Sequence, residues 1–250
     1  MALKTIQQFD SETYYKLFSH FNSYDRKLVS VFKSLLNFEP SCILDLACGV
    51  GFSTMALEAN FPNARITGVD IDANMIELAQ KGLPGSNLEF QCCDISLALD
   101  NYPANSTDII FVKSAYHYFD HQVTLSHLQP KLSNHGVVVV AERTSRSAAS
   151  YPLPDIVSSY WKDIFSEIRE NQRFKAADLH NVSLSVTCYG EYVTLPSEIY
   201  YETVKQKQLV GIWMLNTDMV DEWLSNQLAK KVNTITVFEE FWLYLYKSSK

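Results

Sequence analysis

An α/β fold with a doubly wound, mostly parallel sheet is predicted by two observations. Five short apolar stretches alternate with helical patterns between residues 42 and 142, and the sharpest polar motifs fall where those stretches end. Strands of this length separated by helices make right-handed βαβ units with helices on both faces. In such sheets the ligand sits at the carboxyl ends of the strands.

The elements follow in order. Residues 11–38 read as helical, with Tyr14, Leu17, Phe18 and Phe21, then Leu28, Val29, Phe32, Leu35 and Leu36, at three-and-four spacing, and Pro40 ends the second helix. CILDL (42–46) is the first strand, followed by a glycine turn and a helix to Asn60. ARITGVD (64–70) is the second strand and ANMIELAQK (73–81) a helix that stops near Gly82 and Pro84. LEFQCCD (88–94) and TDIIFVK (107–113) are strands three and four, and 123–132 is a helix ended near Pro130. GVVVVAE (136–142) is apolar throughout, as befits a strand buried on both faces. Beyond it, 144–154 reads as a serine-rich loop and 155–172 as a helix. Residues 182–195 alternate like an antiparallel strand, 197–210 and 217–231 suggest two helices, and 233–247 is a long final strand. There are no internal repeats.

Composition narrows the function. The 250 residues carry a net charge of −7, which argues against a sequence-independent grip on nucleic acid. No membrane association is expected, because the longest apolar run, Val137–Ala141, is far too short to span a bilayer. The stretch Met1–Asp10 lacks the apolar run of a signal peptide. Cys42, Cys48, Cys92, Cys93 and Cys188 form no CxxC pair, and they read as reduced thiols, mostly in the core, of a cytoplasmic protein. No metal site is expected.

The loop LDLACGVGFST follows the first strand directly. Asp45 ends the strand, Gly49 and Gly51 make the turn, and Ser53 and Thr54 open the helix, whose first N–H groups and dipole face the ligand. It lacks the third glycine of a dinucleotide loop and the GK[ST] of a Walker loop. A carboxylate at the strand end would repel a pyrophosphate but can meet the ammonium of an amino-acid moiety. Asp70, some 20 residues on, ends the second strand where an acid commonly accepts from ribose hydroxyls. Asp72 reads as a helix N-cap, with Asn74 and Met75 opening the turn. In CCDI (92–95), Asp94 can accept from an adenine amino group or simply cap the next segment, while Ile71 and Ile95 offer apolar faces to the ring.

Loop, ribose acid and adenine acid in this order resemble the class I S-adenosylmethionine-dependent methyltransferases over residues 40–142. The family's LDxGxGxG is LDLACGVG here, with Ala47 at the first glycine, and its LKPGG is LSNHG (132–136). SAYHYFD (114–120) is similar to the QAxHWFD segment of small-molecule members of the trans-aconitate and biotin-pathway carboxyl type, with Tyr118 in place of Trp. The resemblance implies a Rossmann-like seven-stranded sheet with an antiparallel C-terminal strand. It also implies a single domain: a helical lid over 1–39, a cofactor core over 40–142, a substrate cap with strand six over 143–232, and a final strand over 233–250. S-adenosyl-L-methionine is the implied cofactor, with Tyr24, Met75, Cys93, Lys113 and Ser114 completing the expected cofactor-side set. The protein is expected to be a monomer or homodimer acting on a small molecule.

Methyl transfer from a sulfonium chiefly needs the acceptor positioned and desolvated. A carboxylate acceptor needs a cation, for which Arg26, Arg143 and Arg146 are candidates. A hydroxyl acceptor benefits from a base, for which His117 after strand four is best placed, unless it is a structural histidine. The [DNS]PP[YF] segment of amino methyltransferases and the Pro-Cys of cytosine C5 enzymes are both absent. A small-molecule O-methyltransferase is therefore favoured, with the 14 Tyr, 14 Phe and 4 Trp available for an apolar pocket. A cofactor-binding protein without transfer, and a protein or tRNA methyltransferase, stay open as alternatives.

Overall fold

A computed structural model describes residues 10–82, 87–116, 119, 127–161, 163, 182–209, 212 and 215–248. The elements are α1 (Ser11–Phe18), a 3₁₀ turn (Ser19–Phe21), α2 (Asn22–Lys33), β1 (Cys42–Leu46), α3 (Phe52–Asn60), β2 (Arg65–Asp70), α4 (Ala73–Lys81) and β3 (Leu88–Cys92). They continue with α5 (Ile95–Asp100), β4 (Thr107–Lys113), β5 (Leu132–Arg143), α6 (Ser145–Ser150), β6 (Val182–Pro196), α7 (Ser197–Lys205), α8 (Thr217–Leu228) and β7 (Thr234–Ser248). The sheet has seven strands in the order β3-β2-β1-β4-β5-β7-β6, with β7 antiparallel. The expected strands are therefore all present. Strand order reverses between β1 and β4, the point at which a crevice opens at the carboxyl ends.

The chain divides into two compact units. One comprises Asn22–Glu142, Gln172–Tyr189 and Phe241–Lys250. Within it β3, β2, β1, β4 and β5 pair in parallel. β1 is buried at every position because helices cover both of its faces. Side chains alternate. Leu44 and Leu46 point into a cluster with Val69, Ile110, Val112, Val138 and Val140. Asp45 therefore points the other way, and Phe111, its partner in register, stacks on Phe32 of α2 with ring centroids 5.5 Å apart. The acid thus lies on the α2/α3 face of the sheet.

The amino ends of three strands are clamped by one carboxylate. Asp108 of β4 accepts from the Ser41 and Cys42 amides at 2.8 and 3.2 Å, from Ser133 Oγ at 2.8 Å and from His135 Nε2 at 3.0 Å. Burial opposes its charge, but the Ser41 amide, the Ser133 hydroxyl and the Cys42 amide outweigh that and hold it below the ordinary carboxylate range.

The other unit comprises Met1–Phe21, Arg143–Asn171 and Gly190–Glu240. Here α1 packs on α7, with Thr13 Oγ1 donating to Gln206 Oε1 at 2.6 Å. Its aromatic interior includes Tyr151, Trp161, Tyr200 and Tyr201. Buried Glu239 accepts from Arg143 Nε and Nη2 at 2.9 and 2.6 Å, from Ser147 Oγ at 3.0 Å and from the Tyr151 hydroxyl at 2.7 Å. A buried carboxylate with four donors is fully compensated.

Three expectations change. The second of the two helices expected over 11–38 stops at Lys33 rather than near Pro40, and a 3₁₀ turn, in which Ser19 Oγ donates back to the Lys16 carbonyl, parts it from the first. Residues 144–154 are not all loop: Thr144 caps the Ser147 amide and starts α6 despite the serines. Of the five cysteines, all free, only Cys42 and Cys48 are buried, so most of them lie outside the core. Among the described residues no helix is long and apolar enough to cross a membrane.

Asp108→Ala leaves two strand-end amides without their acceptor. It is expected to lower unfolding free energy by about 2–4 kcal/mol in urea denaturation. Because the Asp108 carboxyl is held low in the folded state, its contribution is complete above the unfolded value near 4 and is lost as pH falls through the folded value. The wild type should therefore lose more stability on acidification than the variant does.

Candidate functional site

The loop after β1 leaves the strand through left-handed backbone. Ala47 and Gly49 both sit at φ +56° and Gly51 at φ +85°. A non-glycine residue there is strained, and Ala47 holds its place because the Cys48 amide donates to the Val69 carbonyl at 3.0 Å, tying the loop to β2. The two glycines serve different needs. A Cβ on Gly51 would stand 3.1 Å from the Phe90 ring and 3.2 Å from Ala79 Cβ, so Gly51 permits α3 to pack. A Cβ on Gly49 would meet no atom within 4 Å, so the loop there faces open space.

Asp45 is wholly buried at the foot of this loop. Its Oδ2 accepts from the Ser53 and Thr54 hydroxyls of α3 at 2.7 and 2.6 Å. Its Oδ1 is buried and has no hydrogen-bond partner. Burial pushes the carboxyl up to about 6, against the opposing pull of the Thr54 and Ser53 hydroxyls and the Lys113 charge, with Asp25 adding to the rise. An acceptor atom left orphaned inside a protein costs free energy, which a donor on a ligand can recover.

Asp70 closes the opposite side. Its Oδ2 accepts from the Gly49 amide at 2.8 Å and its Oδ1 from the Asp72 amide at 2.9 Å. Burial raises its pKa, partly offset by those two amides. Each carboxylate oxygen retains a second lone pair. Asp72 is the N-cap of α4, accepting from the Asn74 and Met75 amides, and Met75 itself is buried. Beside Asp70, Ile71 is 57% exposed, unusual for an isoleucine at a strand end. Asp94 caps α5 through the Ser96 amide at 2.8 Å while its side chain stays exposed. Cys93 and Ile95 are part-buried against the core.

At the end of β4, Lys113 Nζ lies 2.8 Å from Asp25 Oδ1 of α2 and 5.3 Å from the Phe241 ring centroid. Ser114 follows, exposed, at φ +56° with its amide donating to the Ala141 carbonyl. Ala47 and Ser114 are thus two strained residues at the ends of neighbouring strands, where strain is commonly stored at working sites. Tyr24 is buried, its hydroxyl donating to the Tyr189 carbonyl at 2.9 Å. His117 lies outside the described residues. Of the three arginines, Arg143 is committed to Glu239, while Arg26 is exposed and Arg146 is exposed with Glu240 at 3.6 Å.

Asp45, Ala47, Gly49, Gly51 and Asp70 are therefore held in one frame, with Ser53 and Thr54 joining as partners of Asp45. The sequence reading missed Asp25 and Gly68. Asp25 had a signal: it is an acid at three-and-four spacing with Leu28, Val29 and Phe32 on the buried face of α2. Gly68 had a weaker one, a glycine inside a strand, where a Cβ would fall 2.7 Å from the Phe90 ring and 2.9 Å from Cys48 Sγ.

Comparison with known proteins points the same way. A methyltransferase domain model matches residues 43–136. The chain is similar to a trans-aconitate 2-methyltransferase of Escherichia coli, 37% identical over 195 residues, covering 77% of this chain and 72% of that protein. It is also similar to a malonyl-acyl-carrier-protein O-methyltransferase of Bacillus cytotoxicus, 31% identical over 163 residues and 61% of this chain. The match spans only 56% of that relative and 49% of its Acetivibrio thermocellus counterpart, about half their length. The plantazolicin methyltransferase BpumL, solved with a pentazolic desmethylPZN analog and SAH, superposes with a TM-score of 0.55 at 18% identity, over 96% of this chain and 90% of that one. YcgJ of Bacillus subtilis does so at 0.56 and 17%, over 91% and 99%. At these identities the likeness is one of fold.

Asp45→Asn removes a buried charge while keeping the side-chain shape. Since the folded value near 6 exceeds the unfolded one, the folded state binds the extra proton, and stability falls as pH rises from about 4 to about 6. In the variant this decline should flatten. Its Tm at neutral pH should rise, by roughly 2–4 °C per kcal/mol recovered, as read by thermal unfolding across pH.

Proposed function

The chain belongs to the class I S-adenosylmethionine-dependent methyltransferase family, and from that premise we propose that it methylates an oxygen of a small carboxylic acid. The single observation that carries the reading is the orphaned, buried Oδ1 of Asp45 beside the open face of Gly49. A fixed anion with a spare lone pair, reached through a loop without side chains, suits an ammonium group better than a phosphate.

The residues present fit the cofactor. Asp45 would take its ammonium, directly or through water. Asp70, with one lone pair left on each oxygen, would take the ribose hydroxyls, and Ile71 and Ile95 would flank the adenine, with Asp94 at its amino group. Met75, which is buried, and Cys93, part-buried against the core, would back this slot. Ser114 and Lys113 stand at the end of β4, on the side where the acceptor would lie. When bound, the cofactor supplies a methyl activated by its sulfonium. The protein's own work is to place the acceptor in line and keep water out.

The acceptor class rests on chemistry as well as on the relatives, whose names specify malonyl and trans-aconitate acceptors. A carboxylate is ionised at neutral pH and needs no base. It needs a compensating cation. Arg143 is already neutralised by Glu239, so Arg26 and Arg146 are the better candidates of the three. The free thiols favour a reducing, cytoplasmic setting.

Incubating the protein with S-adenosylmethionine and a panel of carboxylic acids should yield S-adenosylhomocysteine and a methyl ester. Binding without product across acids and phenols would count against the reading. His117→Ala should keep activity on an acid within about tenfold, whereas loss of a general base costs about 10²–10⁴. Asp70→Ala should weaken S-adenosylhomocysteine binding by roughly 10–100-fold, the worth of a charged hydrogen bond.

A further inference from the structure

Lys113 is an unusual residue to end a buried strand, and nothing in the methyl-transfer reading above requires it to be a lysine. Its surroundings suggest what it does. Asp45 and Phe111 are register partners on β1 and β4, so Lys113, two residues beyond Phe111, projects from the same face as Asp45. The Lys113 side chain is 20% exposed, its ammonium lies over the Phe241 ring and it meets Asp25, whose side chain is 3% exposed. Tyr24, next to Asp25 in the chain, packs its ring against Phe241 and Tyr189. Asp25, Asp45 and Lys113 therefore lie near one another in a largely dry part of the protein.

We infer that Lys113 and Asp25 form a positioning pair for Asp45: Lys113 keeps the Asp45 carboxylate charged and ready for a cationic ligand, and Asp25 limits that attraction. The inference rests on the cofactor reading, in which that ligand group is the ammonium of the amino-acid moiety. The balance has a chemical sense. A lone lysine beside Asp45 would satisfy the acid by itself and compete with the ligand. With its own counter-charge at 2.8 Å, Lys113 leaves the Asp45 Oδ1 unpaired, as observed. Among the described residues, the groups that act on Asp45 are the neutral hydroxyls of Ser53 and Thr54 from α3, Lys113 from β4 and Asp25 from α2, while the Cys48 thiol of the loop feels both Asp45 and Asp70.

The two partners push Asp45 in opposite directions, Lys113 down and Asp25 up. This separates a positioning role from a merely structural one. In the wild type, S-adenosylhomocysteine affinity should be level at neutral pH and fall below a break near 6, where Asp45 takes its proton. Titration calorimetry from about pH 5 to about pH 8 would locate the break in four proteins. Lys113→Met should move it up by about one pH unit, and Asp25→Asn should move it down by about as much. The double variant, which leaves neither Lys113 nor Asp25 behind as the other's unpaired partner and so guards against misfolding of the singles, should return it close to the wild-type position. Lys113→Arg should hold it there too. Breaks that stay put while both single variants lose affinity equally at every pH would overturn the inference and leave an ordinary ion pair. Movement of both breaks in the same direction would also overturn it. Absence of binding by the wild type at every pH would overturn the cofactor reading and this inference with it.

Discussion

Burying an ionisable carboxylate at the end of a central strand is expensive, and much of the local structure answers that cost. In an apolar interior an unpaired carboxylate takes a proton rather than keep its charge. Asp45 is given two hydroxyls from the first turn of α3 and a lysine from the next strand. These contacts bring its pKa only to about 6, so the acid is ionised at neutral pH without being fully satisfied. The α3 N-terminus must then lie where Ser53 and Thr54 can reach the strand end. That placement sets the span of the glycine loop, and Gly51 must stay without a side chain for the helix to pack against Phe90 and Ala79.

The loop is also gripped from the other side. Asp70 holds the Gly49 amide and the Asp72 amide at once, and the Cys48 amide bonds to Val69. The strained φ of Ala47 is held between these anchors. A floor already fixed before a ligand arrives needs little ordering on binding, which preserves affinity. The unit that contains Glu239 handles a buried acid differently. There four donors meet both oxygens, and nothing is left over for a ligand. Full satisfaction leaves a purely structural acid, whereas the half-satisfied Asp45 keeps an acceptor to spare.

Much of the frame was legible along the chain. The apolar pentad CILDL, the turn behind it and the acids ending β2 and β3 have periodicities and spacings set by local sterics, which do not depend on distant partners. The N-cap role of Asp72 was legible for the same reason, since a cap bonds only to the next turn. The alternation of strand and helix carries the doubly wound class, whereas the order β3-β2-β1-β4-β5-β7-β6 is set by pairing between distant segments and was not legible in it. Less was legible where a polar side chain chooses among remote partners. Arg143 reads as an ordinary cation after a strand, but Glu239, 96 residues away, takes its charge. Tyr24 reads as a cofactor-side aromatic, yet its hydroxyl goes to a carbonyl 165 residues on.

The sequence by itself determined the α/β frame, the loop, and the acids at three successive strand ends, because these are properties of short segments and of how strands alternate with helices. Only the tertiary structure decided what each of those acids bonds to and how deeply it is buried. It shows Asp45 with one oxygen occupied and one orphaned, Asp70 pinning the loop as well as facing outward, and Lys113 tied to Asp25. The physical reason is the same in each case. Desolvation and pairing depend on everything packed within a few ångströms, and that neighbourhood is assembled from segments far apart in the chain.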